Sequence, residues 1–392
     1  MTNGLSRREF LTAAGVSAAA LATLNARRAL AFVSGEGAQQ EAGSGIDWDN
    51  ELNSYNEIYG FPPLLGRVIH THECRRTVGI FTEPDPRSQR IRSVGGDCGA
   101  RGGVILPIYG AVHGERYDSR WQSKIWFRTN EGYVHSGHLV PCHEIFNPPE
   151  PVPDGGFWGE VTVPIGWQRR GPSFESYKYD YDHYKLFWGQ VHRVLERADD
   201  AQGNAWYRLY DEIEPERQAW VLARNIRHVL PEELTPISPD VQDKRIVIDL
   251  GRQHITCYEE GVPVFETLIA SGTVYTSDTG EIFDFSTPEG TYRVQRKRPS
   301  RRMRSGDVHD PVLWYDVNGV PWCTYFSDTG AAIHGAYWHN DFGGPRSHGC
   351  INVTPDAAKW IFRWSQPYLG YDEDYRWVQP GEVATPVEIV LT

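Results

Sequence analysis

No two cysteines in this chain stand at CxxC spacing, and only six occur in 392 residues, at positions 74, 98, 142, 257, 323 and 350. That absence excludes a zinc ribbon and a thioredoxin-type redox motif. After the first thirty residues no apolar run approaches the roughly 18 residues that a membrane-crossing helix needs, so no integral membrane segment is expected there. Basic residues are outnumbered, 39 Lys and Arg against 51 Asp and Glu, and form no long basic face, so no nucleic-acid partner is expected. Methionine is nearly missing, with 2 residues. In its place are 14 Trp, 20 Tyr and 15 Phe beside 39 Gly, a balance that suits strands and tight turns better than helical bundles. The fold class expected is mostly β. With 40% hydrophobic and 23% charged residues the chain can bury a core, and its length predicts two or three domains.

Ser6-Arg7-Arg8-Glu9-Phe10-Leu11 leads into a stretch of small and apolar residues ending near Leu24, and Ala29-Leu30-Ala31 offers a cleavage site. This resembles a twin-arginine-type signal peptide. Residues 1–31 are therefore expected to direct export, and residues 32–63, rich in Gly, Glu, Gln, Asn and Ser, to form a flexible tether. Loss of the signal, with its four Arg and one Glu, takes the net charge from −12 to −15. Outside the cell an even number of cysteines can pair, and Cys74, Cys98 and Cys142 fall in one domain. Sequence does not fix the pairing among these, Cys257 and Cys323.

A weak internal repeat follows. Trp126-Phe127-Arg128 precedes Tyr133-Val134 and then Leu139; Trp206-Tyr207-Arg208 precedes Trp220-Val221 and then Ile226. In both copies Leu or Ile comes five residues after the Val, and turn-forming residues separate the aromatic segments. The pattern resembles two small bacterial SH3-like β-barrels, at 64–147 and 158–231. Tyr133, Trp206 and Trp220 are expected to fill barrel cores rather than to stack on sugars. Pro148 to Pro153 reads as a stiff spacer, and a third domain covers 240–392. It opens on an antiparallel meander from Lys244 to Ala270. Thr354-Pro355-Asp356 starts a helix carrying Ala357, Trp360, Ile361 and Trp364, and a strand follows at Val387 to Leu391.

The chemistry concentrates in Ile333-His334-Gly335-Ala336-Tyr337-Trp338, a loop with Gly343-Gly344-Pro345, and Ser347-His348-Gly349-Cys350-Ile351-Asn352. A thiol is only slightly ionised at neutral pH, so a nucleophilic Cys350 gains from a histidine that takes its proton; His334 and His348 are the candidates. The Gly349-Cys350 turn can aim backbone N–H groups at one point, as an oxyanion hole requires, and Ser347 and Asn352 can hold that turn by hydrogen bonds. His-Gly followed about a dozen residues later by Ser-His-Gly-Cys-Ile-Asn resembles the L,D-transpeptidase (YkuD-type) catalytic domain. Thr287-Pro288-Glu289-Gly290 extends the likeness, which covers about 240–392.

The resemblance implies a β-rich catalytic domain with a short helix after the catalytic cysteine. It also implies cysteine acyltransferase chemistry, peptidoglycan stem peptides as partners, no cofactor or metal, and an extracytoplasmic site in the cell wall or periplasm. It assigns the base to His334, oriented by the Gly335 carbonyl, and leaves His348 to shape the pocket. Cys350 would form a thioester on the third stem residue, release D-alanine and yield 3–3 crosslinks; water or a free D-amino acid as acceptor would give carboxypeptidase or exchange activity. Trp338 and Tyr325 are candidate groove walls, with core packing the competing role for Tyr325. Three alternatives are weighed against this. His334, His339, His348 and Cys350 could hold zinc, though at no recognised spacing. A papain-like peptidase needs a histidine after the cysteine, and none occurs from Ile351 to Thr392. A non-catalytic wall-binding adaptor would use the barrels on glycan or peptide. The basic run Arg296 to Arg304 reads as a solvated face or a groove edge, and residues 236–392 alone are expected to acylate a soluble stem peptide.

Overall fold

The computed structural model describes residues 64–68, 78–95, 103–117, 123–179, 184–277, 280–306 and 313–392. The expected signal and tether, with Cys74 and Cys98, lie outside the described residues. The architecture is mostly β, and among the described residues the one α-helix is Pro355–Trp364. Thr354 caps that helix by accepting from Ala357 N, and Pro355 occupies its first turn, where a missing N–H costs nothing.

Both copies of the repeat fold alike. Ile125–Arg128 pairs antiparallel with Tyr133–His135, then a 3₁₀ turn, Ser136–His138, releases the strand Leu139–Cys142. Ala205–Leu209 pairs with Ala219–Leu222, the 3₁₀ turn is Ala223–Asn225, and the strand is Ile226–His228. Phe127 faces Val134 in one and Tyr207 faces Val221 in the other. The repeat spacing is thus the length of a hairpin arm plus one tight turn. Trp206 and Trp220 are buried, and each copy has its own apolar cluster. Cys142 is a free buried thiol, pushed up to about 12 by burial. Cys257 and Cys323 are likewise free and buried.

The third unit has two five-stranded sheets. One runs Val262–Leu268, His254–Glu259, Lys244–Asp249, Pro386–Val390 and Gly290–Arg293, in that spatial order. The other runs Ile351–Val353, Ala332–Gly335, Tyr315–Tyr325, Arg296–Ser305 and Arg376–Trp377. The helix packs between them with Ala358, Ile361 and Trp364 at 0% exposure.

One expectation is corrected at the seams. The proline segment is tied to the second unit, where Tyr207 Oη accepts from Glu150 N at 2.6 Å and donates to Glu150 O at 3.1 Å. The basic run is not a solvated face. It is the strand Arg296–Ser305, and its arginines meet acids of the second unit: Arg298 and Arg301 reach Glu212 at 2.7 and 2.6 Å, and Arg302 reaches Asp211 at 2.7 Å and Glu214 at 3.1 Å. Asp316 closes the cluster on Arg302 at 2.6 Å. Apolar packing is continuous across the same seam, since Trp158, Val191 and Val229 share one cluster with Ile246, Trp322 and Phe362. A second bridge runs through Arg227, which pairs with Glu160 and Glu233, and Lys359 on the helix, which reaches Glu233 at 2.7 Å.

The first unit also reaches the third. Arg67 is 3% exposed, its guanidinium lies 4.3 Å over the Phe187 ring, and its Nη2 donates to Tyr337 O at 2.6 Å. Asn340 Nδ2 donates to Ser136 O at 3.4 Å. All three units therefore meet at the loop that follows His334.

Candidate active site

Ala332–Gly335 and Ile351–Val353 run parallel, with Ile333 opposite Ile351 and His334 opposite Asn352. Side chains alternate along a strand, so the two isoleucines, both 0% exposed, point into the core while His334 and Asn352 share the other face. By the same period of two, Cys350 belongs to the His334 side, at the end of the turn that enters the second strand. The sequence motif is thereby one patch on two neighbouring strands.

His334 is 2% exposed. Its Nδ1 lies 3.2 Å from Gly335 O, which only accepts, so Nδ1 carries the proton. Its Nε2 lies 3.2 Å from Asn352 Nδ2, and the amide donates to it. Asn352 Oδ1 in turn accepts from His339 Nε2 at 3.0 Å, and His339 Nδ1 accepts from Asp341 N at 3.3 Å. Burial lowers both histidines to about 4, against a weaker upward pull on His334 from the Gly335 carbonyl and on His339 from Asn352. Both rings are neutral at neutral pH.

Cys350 is half-buried; burial pushes its thiol up, opposed by a hydrogen bond from the Ala332 backbone. Among the described residues no hydrogen bond joins Cys350 to His334. Burial thus favours the thiol form of Cys350 and the neutral form of His334.

The turn before Cys350 is held from several sides. Ser347 Oγ donates to Cys350 O at 2.5 Å and accepts from Gly349 N at 3.1 Å. That bond occupies the Gly349 N–H that sequence assigned to an oxyanion hole. Thr287 Oγ1 donates to Gly349 O at 3.0 Å and accepts from Gly272 N at 2.9 Å, while Ser347 N donates to Ser271 O at 2.9 Å. Gly349 has φ +108°, a backbone that side-chain-bearing residues rarely adopt. At Gly335 the demand is spatial: a Cβ there would stand 2.7 Å from Pro321 Cγ and 2.8 Å from Pro355 Cα.

The remaining candidates separate. Asn352 bonds to the two histidines rather than holding the turn. His348 is exposed, its ring 4.4 Å from Phe285 and 5.2 Å from Tyr315. Trp338 is partly buried, 5.7 Å from the His334 ring. Tyr325 is 4% exposed among Val320, Cys323 and Ala332, a core position rather than a groove wall. His339, considered only as a zinc ligand, has both ring nitrogens in hydrogen bonds. Sequence reasoning missed Thr287 and Ser271 as supports of the turn. Thr287 stood in the quoted Thr-Pro-Glu-Gly segment, whereas Ser271 carried no signal.

Comparison with protein families finds one match, the YkuD L,D-transpeptidase catalytic domain, over residues 243–389. That stretch is a YkuD-type L,D-transpeptidase catalytic domain. It is less than half of the chain, and the two preceding units lie outside it. Among solved structures, the transpeptidase domain resembles a cysteine-to-serine mutant of the Enterococcus faecium L,D-transpeptidase, at 25% identity over 39% of this chain and 51% of that one, TM-score 0.27. It also resembles the catalytic domain of the E. faecium L,D-transpeptidase (26%, 38% and 98%, TM-score 0.27) and L,D-transpeptidase 3 of Mycobacterium tuberculosis (19%, 38% and 60%, TM-score 0.28). The chain spans about half the length of the first of these. No curated protein matches.

Proposed function

We propose that this protein is an exported peptidoglycan L,D-transpeptidase in which Cys350 is the nucleophile and His334 the base. The observation that carries the proposal is the patch on Ala332–Gly335 and Ile351–Val353, where the motif residues of a YkuD-type domain share a face and the base candidate is held neutral with Nε2 unprotonated. In the first step the Cys350 proton passes to His334 Nε2 as sulfur attacks the carbonyl carbon of the third stem residue. The tetrahedral intermediate collapses, the C–N bond to D-alanine breaks, and His334 returns the proton to the leaving amine. An amine of a second stem peptide then attacks the thioester, giving its proton back through His334 and regenerating the thiol. The product is a 3–3 crosslink. Water or a D-amino acid at the second step gives the carboxypeptidase or exchange product from the same thioester.

Under this reading residues 1–31 direct export, and the units at 64–147 and 158–231 serve as SH3-like modules. The test is intact-protein mass spectrometry with a defined tetrapeptide stem. A tripeptide adduct on Cys350, absent in Cys350→Ser and discharged by an acceptor amine, is the expected result. No adduct on the wild-type protein sinks the enzymatic reading in favour of a wall-binding adaptor.

A further inference from the structure

The hydrogen bonds around Asn352 form a chain with fixed polarity at both ends. At one end is the Asp341 N–H, which only donates; at the other is the Gly335 C=O, which only accepts. The donor at one end makes His339 Nδ1 an acceptor, so in the neutral ring Nε2 carries the hydrogen and donates to Asn352 Oδ1. This turns the Asn352 Nδ2 toward His334, whose Nε2 must accept, and Nδ1–H is left to Gly335 O. Reversing the amide would set its NH₂ against the His339 N–H. The Asn352 backbone cannot slide to relieve such a clash, since its N–H and C=O both bond to Ala270 at 2.9 Å. Each link therefore admits one orientation.

We propose that His339 is a positioning residue that, through Asn352, helps the Gly335 carbonyl fix the tautomer of His334 and keeps Nε2 free of a proton; the Asn352 N–H that rests on this lone pair gives way when the Cys350 proton arrives. The proposal rests on the reading of His334 as the base for Cys350. Among the described residues no hydrogen bond joins His339 to Cys350; its ring nitrogens bond to Asn352 and Asp341. Its ring packs 4.9 Å from Phe342 and its backbone lies in the loop that the two N-terminal units hold, so its placement is set by the fold. Without its N–H the Asn352 amide is free to present Oδ1 to His334 Nε2. That arrangement demands a proton on Nε2, and such a ring cannot accept the one from Cys350.

The test uses the full chain with ¹⁵N-labelled histidine. Long-range ¹⁵N–¹H correlation at neutral pH should show His334 Nε2 unprotonated in the wild type and a mixture of tautomers in His339→Phe. Acylation by a soluble tetrapeptide stem should fall about 10- to 100-fold in kcat for His339→Phe, with KM nearly unchanged. His339→Gln, whose amide can both accept from Asp341 N and donate to Asn352, should recover most of that loss. If His339→Phe does not fold, Asn352→Asp serves instead: a carboxylate only accepts, so it should draw a proton onto His334 Nε2 and suppress acylation. The relay is overturned if His334 keeps its tautomer in both His339→Phe and Asn352→Asp, or if Gln and Phe at 339 lose rate equally. A wild-type protein that no stem peptide acylates refutes the proposed function, and the tautomer measurement still decides the relay.

Discussion

Arg302 of the transpeptidase domain reaches Asp211 of the second unit at 2.7 Å, with 2% and 1% of their side chains exposed. Arg217 meets the same carboxylate at 2.6 Å. Burial raises the Asp211 carboxyl, but Arg217 and Arg302 outweigh it and hold the group below its ordinary value. Asp211→Ala should destabilise the protein by about 3–5 kcal/mol, because it leaves two guanidiniums buried without that partner. Chemical denaturation measures this, and a loss under 1 kcal/mol contradicts the description of the seam.

A fragment of residues 236–392 should be poorly folded. It would expose the apolar surface that covers Trp158, Val191 and Val229 and leave Arg302 with Asp316 alone. Sequence treats the transpeptidase domain as self-sufficient, since all its chemical residues lie within that range; the seam changes the expectation. Circular dichroism and acylation of a soluble stem peptide should both be impaired, and a fragment with wild-type activity would show the second unit to be dispensable.

The acid limb of acylation should lie near pH 4 rather than near 6.5, since His334 is lowered to about 4 and stays a base down to that range. Alkylation of Cys350 by iodoacetamide should rise only above the ordinary thiol value, because burial pushes its thiol up. A bell centred on an ordinary histidine would contradict the burial of His334.

Stability should fall as pH drops below about 6.5. His192, His334 and His339 are each lowered to about 4 by burial, so the unfolded chain binds protons that the folded one refuses; the stabilisation is full above the unfolded value and lost toward the folded one. Glu233, partly buried and held at about 2 by Arg227 and Lys359, adds a further loss below its ordinary value of 4.5. Melting temperature measured from pH 8 to 4 should be flat and then decline, and His192→Asn should flatten part of the slope.

Local signals in the sequence carried well. Thr354-Pro355 marked the helix start, and the five-residue interval from Val134 to Leu139 and from Val221 to Ile226 marked the hairpin and tight turn in each copy. The misread segments depend on partners far along the chain. Arg298 to Arg304 looked like a free cationic surface because Glu212 and Asp211 lie some ninety residues upstream. Asn352 was assigned to the turn because it adjoins Cys350 in sequence, whereas strand register sets it against His334. The bonds of His339 to Asn352 and of Thr287 to Gly349 likewise join residues that sequence order keeps apart.

The bond from Arg67 to Tyr337 O spans 270 residues. Contacts of such sequence separation close large loops and are won late, after local hairpins have formed. On dilution from denaturant, strand content should thus return before the loop beyond His334 acquires its final shape. Regain of acylating power should lag behind regain of circular dichroism, with the interval set by the docking of the first unit rather than by the catalytic sheet itself.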